Sequence, residues 1–469
     1  MTAAELAALA PLLVLAVDCL LLLLLIAARR TLLASFLLAL AGAAAALAAL
    51  FLSRGSVRVT SLLLLDDPAR FFIGVLLASL LLVAVLSYKY LLRLAGNREE
   101  FFLLLLLSAL GAAVLASSAH FASLFLGLEI LSISLYGLIA YNRTSAASIE
   151  GGVKYFFATA VGSAVLLFGI ALVYADTGTL ALAEIAAQPR GGLYLTLGLS
   201  LLLIGLALKL ALVPFHMWVA DVYQGAPAPA TAALATISKA SVLAAFYRFF
   251  VELELLRSAP LAAVLLGIPA LSMLAGNWLA LTQKNVKRLL AYSSIAQIGY
   301  LLIPFFASSA QAAVALYYAA AAYFLATAGS FGIVTVLSLP GKEAESFEDY
   351  RGLAARKPWL AGLFILLLLS QAGIPLTMGF MGKFYLFLAA AGSYRWLLTV
   401  VLLVSSAIGL FYYLRLVLVL FGRGLAGTEA PPPAPAASPA EGVVLFLIAA
   451  AVVALGVFPA PFLGLLQGL

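Results

Sequence analysis

Apolar segments of about twenty residues recur along this sequence almost without interruption, and that recurrence confines the chain to one kind of fold. A helix needs roughly 20 apolar residues to cross about 30 Å of hydrocarbon. Runs of that length fall at 5–28, 31–53, 70–93, 100–117, 119–141, 152–175, 192–220, 229–255, 259–283, 286–307, 309–338, 358–391, 395–422 and 442–464. Inside a bilayer each segment must satisfy its own backbone N–H and C=O groups, so these runs are helices rather than open strands. The sequence therefore predicts an all-α polytopic membrane protein of about 14 transmembrane helices, numbered here as spans 1–14. Only Ser117, Ser118 and His120 divide span 4 from span 5. With 65% hydrophobic and 10% charged residues, against roughly 25% charged in soluble chains, a soluble globular protein is excluded.

The formal charge of +7 does not signal nucleic acid, because the basic residues sit mostly in short loops between apolar runs. Such a bias reports membrane orientation. Counted alternately, one face receives Arg29, Arg30, Lys89, Arg93, Arg98, Arg143, Lys284, Lys287, Arg288, Lys342, Arg351, Arg356, Lys357 and Arg423. The other receives Arg54, Arg58, Arg70, Arg190, Arg257 and Arg395. The richer face is assigned to the cytoplasm, and an even number of spans puts both termini on the non-cytoplasmic side. The N-terminus has no basic n-region and carries Glu5 before its apolar stretch, so it reads as a retained first helix. Residues 424–441 have the Pro- and Ala-rich composition of an extended linker. The charged stretch 340–357 reads either as a solvated connection or as a docking surface for a partner.

Several ionisable residues lie where hydrocarbon should be. A Lys or Asp at the centre of a spanning helix costs about 2.5–3.5 kcal/mol on insertion scales, so each is by default a functional-site hypothesis. Glu129 is flanked on both sides by apolar or small residues, as are Lys209, Lys239 and Lys383. One carboxylate and three amines cannot all pair, and a buried lysine with a perturbed proton affinity is a proton carrier. Lys209 precedes Pro214 and Lys383 follows Pro375, Gly373, Gly379 and Gly382. Proline interrupts a helix, and irregular backbone at membrane depth survives only where it lines a cavity or is covered by protein. Two interrupted, lysine-bearing helices suggest an internal inverted repeat and an ion path. His216 is seven residues after Lys209 and reads equally as a proton relay or as a capped polar group at the broken helix. Lys154 and Arg415 are compatible with snorkelling from helix ends. His120 reads as interfacial, and Asp18 has no obvious partner.

One cysteine and two histidines cannot supply the usual ligands of an iron–sulfur cluster, a structural zinc or a bis-His haem. Neither Gly341-Lys342 nor Gly382-Lys383 is followed by Ser or Thr, as a phosphate-binding P-loop requires. The chain must then be driven by an ion gradient or by partner subunits.

These residues also carry a resemblance. The segment KLALVPFHMWVADVYQGAPAPATAALATISK (209–239) resembles the signature of the antiporter-like membrane subunits of respiratory complex I, the proton-pumping NADH:quinone oxidoreductase. Its FHMW and DVYQGAP elements resemble the N-type branch of that family. Three further segments agree: SSAHFASLFLGLEILSISLYGLIAY (117–141), GNWLALTQKNVKRLLAYSSIAQIGY (276–300), and 347–387 around SQAGIPLTMGFMGKFYLF. Ala220 departs from the proline usual in the family. The resemblance covers about 115–390. It implies two inverted five-helix repeats, spans 4–8 and 9–13, with spans 7 and 12 discontinuous. The expected division is 1–98 as an N-terminal three-helix segment, 99–255 and 256–423 as the repeats, and 424–469 as linker and last helix.

Carried over by motif, Glu129 would pair with Lys209 as a charge-modulated switch, Lys239 would be the central relay and Lys383 the terminal proton-exchange residue. His216 joins them as a further proton-transfer candidate, and Lys154 matches a family lysine in its KYFF context with a less settled role. At about 4 Å and an effective dielectric of roughly 20, such a pair is coupled by about 4 kcal/mol. The resemblance further implies a non-redox subunit of a translocase in a bacterial plasma (inner) membrane, with no cofactor of its own. FMN and iron–sulfur clusters would lie in partner subunits; M-, K- and L-like chains and membrane lipid would surround it; quinone would act only indirectly. The alternatives are a subunit of a multisubunit cation/proton (Na+/H+) antiporter and a membrane scaffold whose buried charges fix helix register.

Overall fold

The computed structural model describes residues 2–467 apart from 53–54, 95, 189–191, 254, 256–258, 308–310, 340–341, 394 and 423–436. Among the described residues, 11 helices are long and apolar enough to cross a membrane. The shorter apolar helices Glu100–Ala116, Ala259–Leu281, Pro358–Ala372 and Met378–Gly392 complete the set of spans read from the sequence. Most of the proposed linker, 424–436, lies outside the described residues, and its end belongs to the last span, Pro439–Val457.

Helix ends follow local chemistry. Ser145, Asn285, Thr377 and Ser438 each accept a backbone N–H of the first turn they precede, which satisfies donors left orphaned at a helix start. The Ser145 cap starts span 6 at Ala146, earlier than its apolar run at 152 suggests, and Gly178, at φ 68°, ends it. The split between spans 4 and 5 falls at Ser117–His120, where the His120 side chain caps Phe121–Ile139. One feature is absent from the sequence reading: Val57–Val59 and Leu63–Leu65 form an antiparallel hairpin, with Leu63 bridged to Ser118. Each strand has only three residues, too few for alternation to register.

Burial sorts the spans. The apolar windows of span 8 (Ala228–Glu252), span 10 (Val286–Phe306) and span 11 (Ala312–Leu337) are each 89% buried, whereas those of spans 1, 2, 6, 13 and 14 are 28–39% buried. Spans 8, 10 and 11 are therefore the axis of the bundle, and the others face lipid or neighbouring chains. Spans 6 and 7 pack closely because glycines meet: a Cβ on either Gly169 or Gly198 would lie 2.7 Å from the other's carbonyl oxygen. Small residues let membrane helices approach in this way where hydrophobicity gives no drive to associate.

Both expected interruptions are present. Span 7 runs Leu193–Leu210, breaks through Ala211 at φ 59° and Pro214, and resumes at Met217–Gly225. Span 12 runs Pro358–Ala372, breaks through Gly373 at φ 87° and Leu376 at φ 71°, and resumes at Met378–Gly392. Span 8 has a third irregularity, a π-helical turn at Leu234–Ser238 immediately before Lys239. The charged stretch after span 11 folds back on the bundle rather than standing in solvent. Its short helix Phe347–Tyr350 buries Tyr350, whose hydroxyl donates to the Ala344 carbonyl at 2.7 Å. On its exposed side Arg351 holds the Glu348 carboxyl below the usual carboxylate range by hydrogen bonding.

Replacing Gly198 by leucine should overpack this contact and destabilise the protein by about 1–3 kcal/mol or more. Loss of thermal stability in detergent checks this, with Gly267→Ala, at a position with nothing near its Cβ, as the control.

Candidate proton path

The four intramembrane charges are each held by oxygen atoms from a different helix. Lys209 is 6% exposed, and its Nζ donates to Ser132 Oγ of span 5 at 2.8 Å. It sits in the last turn before the break in span 7, where the negative end of a helix dipole favours a cation. Glu129 lies three residues before Ser132 on the same helix, so the two share a face. Its Oε1 receives the Ser163 hydroxyl of span 6 at 2.5 Å. The direct Glu129–Lys209 pair expected from the sequence is not formed among the described residues. Each charged group instead takes a serine hydroxyl as partner, Ser163 for Glu129 and Ser132 for Lys209.

Lys239 is 1% exposed and donates to Ser294 Oγ of span 10 at 2.6 Å, with its Nζ 5.7 Å from the centre of the Tyr223 ring. Adjacent Ser293 shares a short hydrogen bond with the Tyr413 hydroxyl of span 13, and Tyr413 donates to Gln371 Oε1 at 3.0 Å. The next residue, Ala372, ends the first half of span 12 and accepts Lys383 Nζ at 2.9 Å. Lys239–Ser294, Ser293–Tyr413–Gln371 and Lys383–Ala372 are thus three separate hydrogen-bonded groups that are neighbours in sequence at Ser293/Ser294 and at Gln371/Ala372. Lys383 is partly buried rather than enclosed. Its ammonium lies 5.1 Å from the Tyr300 ring centre and beside a water-sized cavity lined by Gln297, Tyr323 and Gln371. Gly373 is required here: a Cβ would lie 2.9 Å from Lys383 Cδ.

The remaining candidates stand apart. His216 opens the second half of span 7 with a buried Nδ1 that has no partner, and no hydrogen bond joins it to any of the lysines. Lys154 lies in the third turn of span 6 with its side chain 41% exposed, paired with Glu150 at 2.7 Å and Asp221 at 2.6 Å. Asp221 also pairs with Arg288 at 2.6 Å, so Lys154 belongs to a surface network, not to the buried groups. Arg415 caps span 9, donating to the carbonyls of Leu281 and Gln283.

Sequence reading missed the hydroxyl and amide partners, Ser132, Ser163, Ser294, Tyr413 and Gln371, because such residues are unremarkable in apolar helices. It also counted Lys287 among the loop charges of the more basic face. Lys287 is fully buried, donating to the Ala226 carbonyl at 2.6 Å and pairing with Glu343 at 3.2 Å. Glu343 in turn accepts the Tyr90 hydroxyl at 2.7 Å. No group of three or more His, Cys, Asp or Glu residues among the described residues could hold a metal ion.

Residues 118–409 match the family described as "NADH:quinone oxidoreductase/Mrp antiporter, TM". The NADH-quinone oxidoreductase subunit N of Nitrosospira multiformis is 44% identical over 441 residues, covering 89% of this chain and 87% of that protein. The chain belongs to the NADH-quinone oxidoreductase subunit N family. The corresponding protein of Ectopseudomonas mendocina is 43% identical over 88% of this chain and 85% of its own length. Among solved structures, a chain of respiratory complex I from Thermus thermophilus with bound aureothin superposes with TM-score 0.84 at 34% identity, covering 97% of this chain and 98% of that one. A chain of the Mrp complex from Dietzia has the same fold, with TM-score 0.88, 20% identity and coverage of 99% and 96%. The family fold agrees with the paired broken helices found here, and a multi-pass membrane protein follows from both.

Gly373→Ala should force a left-handed backbone on alanine, costing about 1–2 kcal/mol, and push Lys383 from the Ala372 carbonyl. Unfolding measurements should show that loss, while Gly362→Ala, with nothing within 4 Å of its Cβ, should leave stability unchanged or slightly raised.

Proposed function

We propose that this chain is a proton-translocating membrane-arm subunit of an NADH:quinone oxidoreductase, driven by redox chemistry in partner subunits. The observation that carries the reading is the series Glu129, Lys209, Lys239 and Lys383, each ionisable group held within the bundle by a hydroxyl or carbonyl of a neighbouring helix. The division into repeats at 99–255 and 256–423 gives each half one broken span.

In this mechanism Glu129 is the switch. Its carboxylate stabilises the protonated form of Lys209 without touching it. A charge change in the adjoining subunit alters that field, and Lys209 releases its proton toward Lys239. Lys239 passes its proton on toward Lys383, with the hydroxyls of Ser294, Ser293 and Tyr413 as the groups near it that can both take and give a proton, and Lys383, beside its water-sized cavity, exchanges it. Hydroxyl groups suit this role because each donates and accepts at once. The chain supplies no redox group to this scheme; flavin, iron–sulfur clusters and quinone reduction belong to partners, with M-, K- and L-like subunits as the expected neighbours. Lys154 and His216 are peripheral to the path.

Lys209→Met in the intact complex should abolish coupled proton pumping while assembly and NADH oxidation by artificial acceptors persist; normal pumping by an assembled mutant would sink the assignment. Glu129→Gln should lower the number of protons moved per electron pair. Tyr413→Phe removes both hydrogen bonds of that hydroxyl, to Ser293 and Gln371, each worth about 1 kcal/mol, so pumping should slow at least about fivefold with the complex intact. Sodium-dependent proton flux from a preparation without flavin or iron would favour the antiporter reading instead.

A further inference from the structure

A second polar site lies on the face that carries the basic loops, away from the lysine line. The loop between spans 3 and 4 and the loop between spans 5 and 6 enclose a cavity of about 690 Å³. Arg93, Asn97, Asn142, Arg143 and Thr144 line its polar part. Its one carboxylate, Glu100, is already neutralised by Arg30 at 2.8 Å, and Arg30 also donates to Asn97 Oδ1 at 2.7 Å. The guanidinium groups of Arg93 and Arg143 have no hydrogen-bond or ion-pair partner among the described residues, and neither has the amide NH2 of Asn142, whose carbonyl oxygen accepts from Thr144 at 2.8 Å. Two cations and an amide donor thus line one space whose single carboxylate, Glu100, is paired with Arg30 rather than with them.

The wall below is apolar. Leu104 and Gly137, from spans 4 and 5, line the same cavity about one turn into their helices, and Tyr141 stands between the polar and apolar parts with its hydroxyl on the Asn97 carbonyl at 3.0 Å. A ligand here meets positive charge and amide donors at the loop level and hydrocarbon beneath. Guanidinium groups bind phosphate oxygens in paired geometry, and basic pockets between membrane helices suit anionic headgroups. We propose that this cavity binds the phosphodiester headgroup of an anionic phospholipid, with Arg93 and Arg143 holding the phosphate, Asn142 donating to it, and the acyl chains leaving along Leu104 and Gly137.

The test uses the whole complex, in wild-type form and as the R93Q/R143Q double variant. Both are stripped in detergent and titrated with phosphatidylglycerol, phosphatidylcholine or inorganic phosphate, and bound lipid is counted by mass spectrometry. Wild type should retain one more phosphatidylglycerol per complex, and the double variant should rebind at that site about thirty-fold more weakly, from about 1 kcal/mol per basic residue. R93K/R143K, which keeps both charges, should restore most of the binding. Cryo-electron microscopy of wild type with phosphatidylglycerol should place a phosphate within hydrogen-bond distance of both guanidinium groups. Equal lipid counts in wild type and double variant, binding of phosphatidylcholine as tight as phosphatidylglycerol, occupancy by inorganic phosphate alone, or an acidic side chain of a partner subunit filling the cavity would each overturn the proposal.

Discussion

An ammonium group inside a helix bundle must find oxygen, and most of the interior of this protein is arranged around that requirement. Removing the groups would remove the cost of about 2.5–3.5 kcal/mol that each carries at mid-membrane on insertion scales. The bundle keeps them and supplies partners instead. Lys209 takes Ser132, Lys239 takes Ser294, and Lys383 takes the carbonyl of Ala372. Two partners are hydroxyls from neighbouring helices. The third is a backbone carbonyl freed by a break, since the last carbonyls of any helix lack intrahelical donors. The broken spans are thus part of how charge is accommodated.

That arrangement explains where the irregular backbone lies. Gly373 and Ala211 take positive φ at the ends of the first halves of spans 12 and 7, turning each chain out of the helix within a turn of a lysine or its acceptor. The π-helical turn of span 8 ends where Lys239 begins. Single π turns inside helices are often found at functional sites, and this one belongs to the most buried part of the molecule. Spans 1, 2, 6, 13 and 14 lack such features and are the least buried, but span 11 is an uninterrupted helix too and its window is 89% buried. Tyr413 on span 13 nonetheless reaches inward to Gln371.

Charge at the helix ends does a different job. Arg248 pairs with Asp66 at 2.6 Å and Glu252 at 3.0 Å, which ties span 8 to the start of span 3. On the opposite face Lys287 and Glu343 tie span 10 to the stretch after span 11, and Lys154, Asp221 and Arg288 tie spans 6, 7 and 10. These clasps hold the ends of the core helices while the middle carries the lysines. Hydropathy assigns Lys287, in the charged stretch 284–288, to a loop and Lys239 to a span, but only packing shows that both are buried and that one meets a carboxylate and the other a serine.

By itself the sequence determined the spans, the two breaks and the four charges at membrane depth, Glu129, Lys209, Lys239 and Lys383. Those features depend on local quantities: the length of an apolar run against the thickness of a bilayer, the missing N–H of Pro214 and Pro375, and the desolvation cost of Glu129, Lys209, Lys239 and Lys383. It left illegible the three-residue strands at 57–59 and 63–65, the burial of Lys287 and the serine partners that Glu129 and Lys209 each take. Tertiary structure alone decided which oxygen each charge meets. Partners such as Ser132 and Lys209, Ser294 and Lys239, or Tyr413 and Gln371 are dozens of residues apart and on different helices. Their meeting is fixed by helix rotation and by close approaches such as Gly169 against Gly198, neither of which hydropathy encodes.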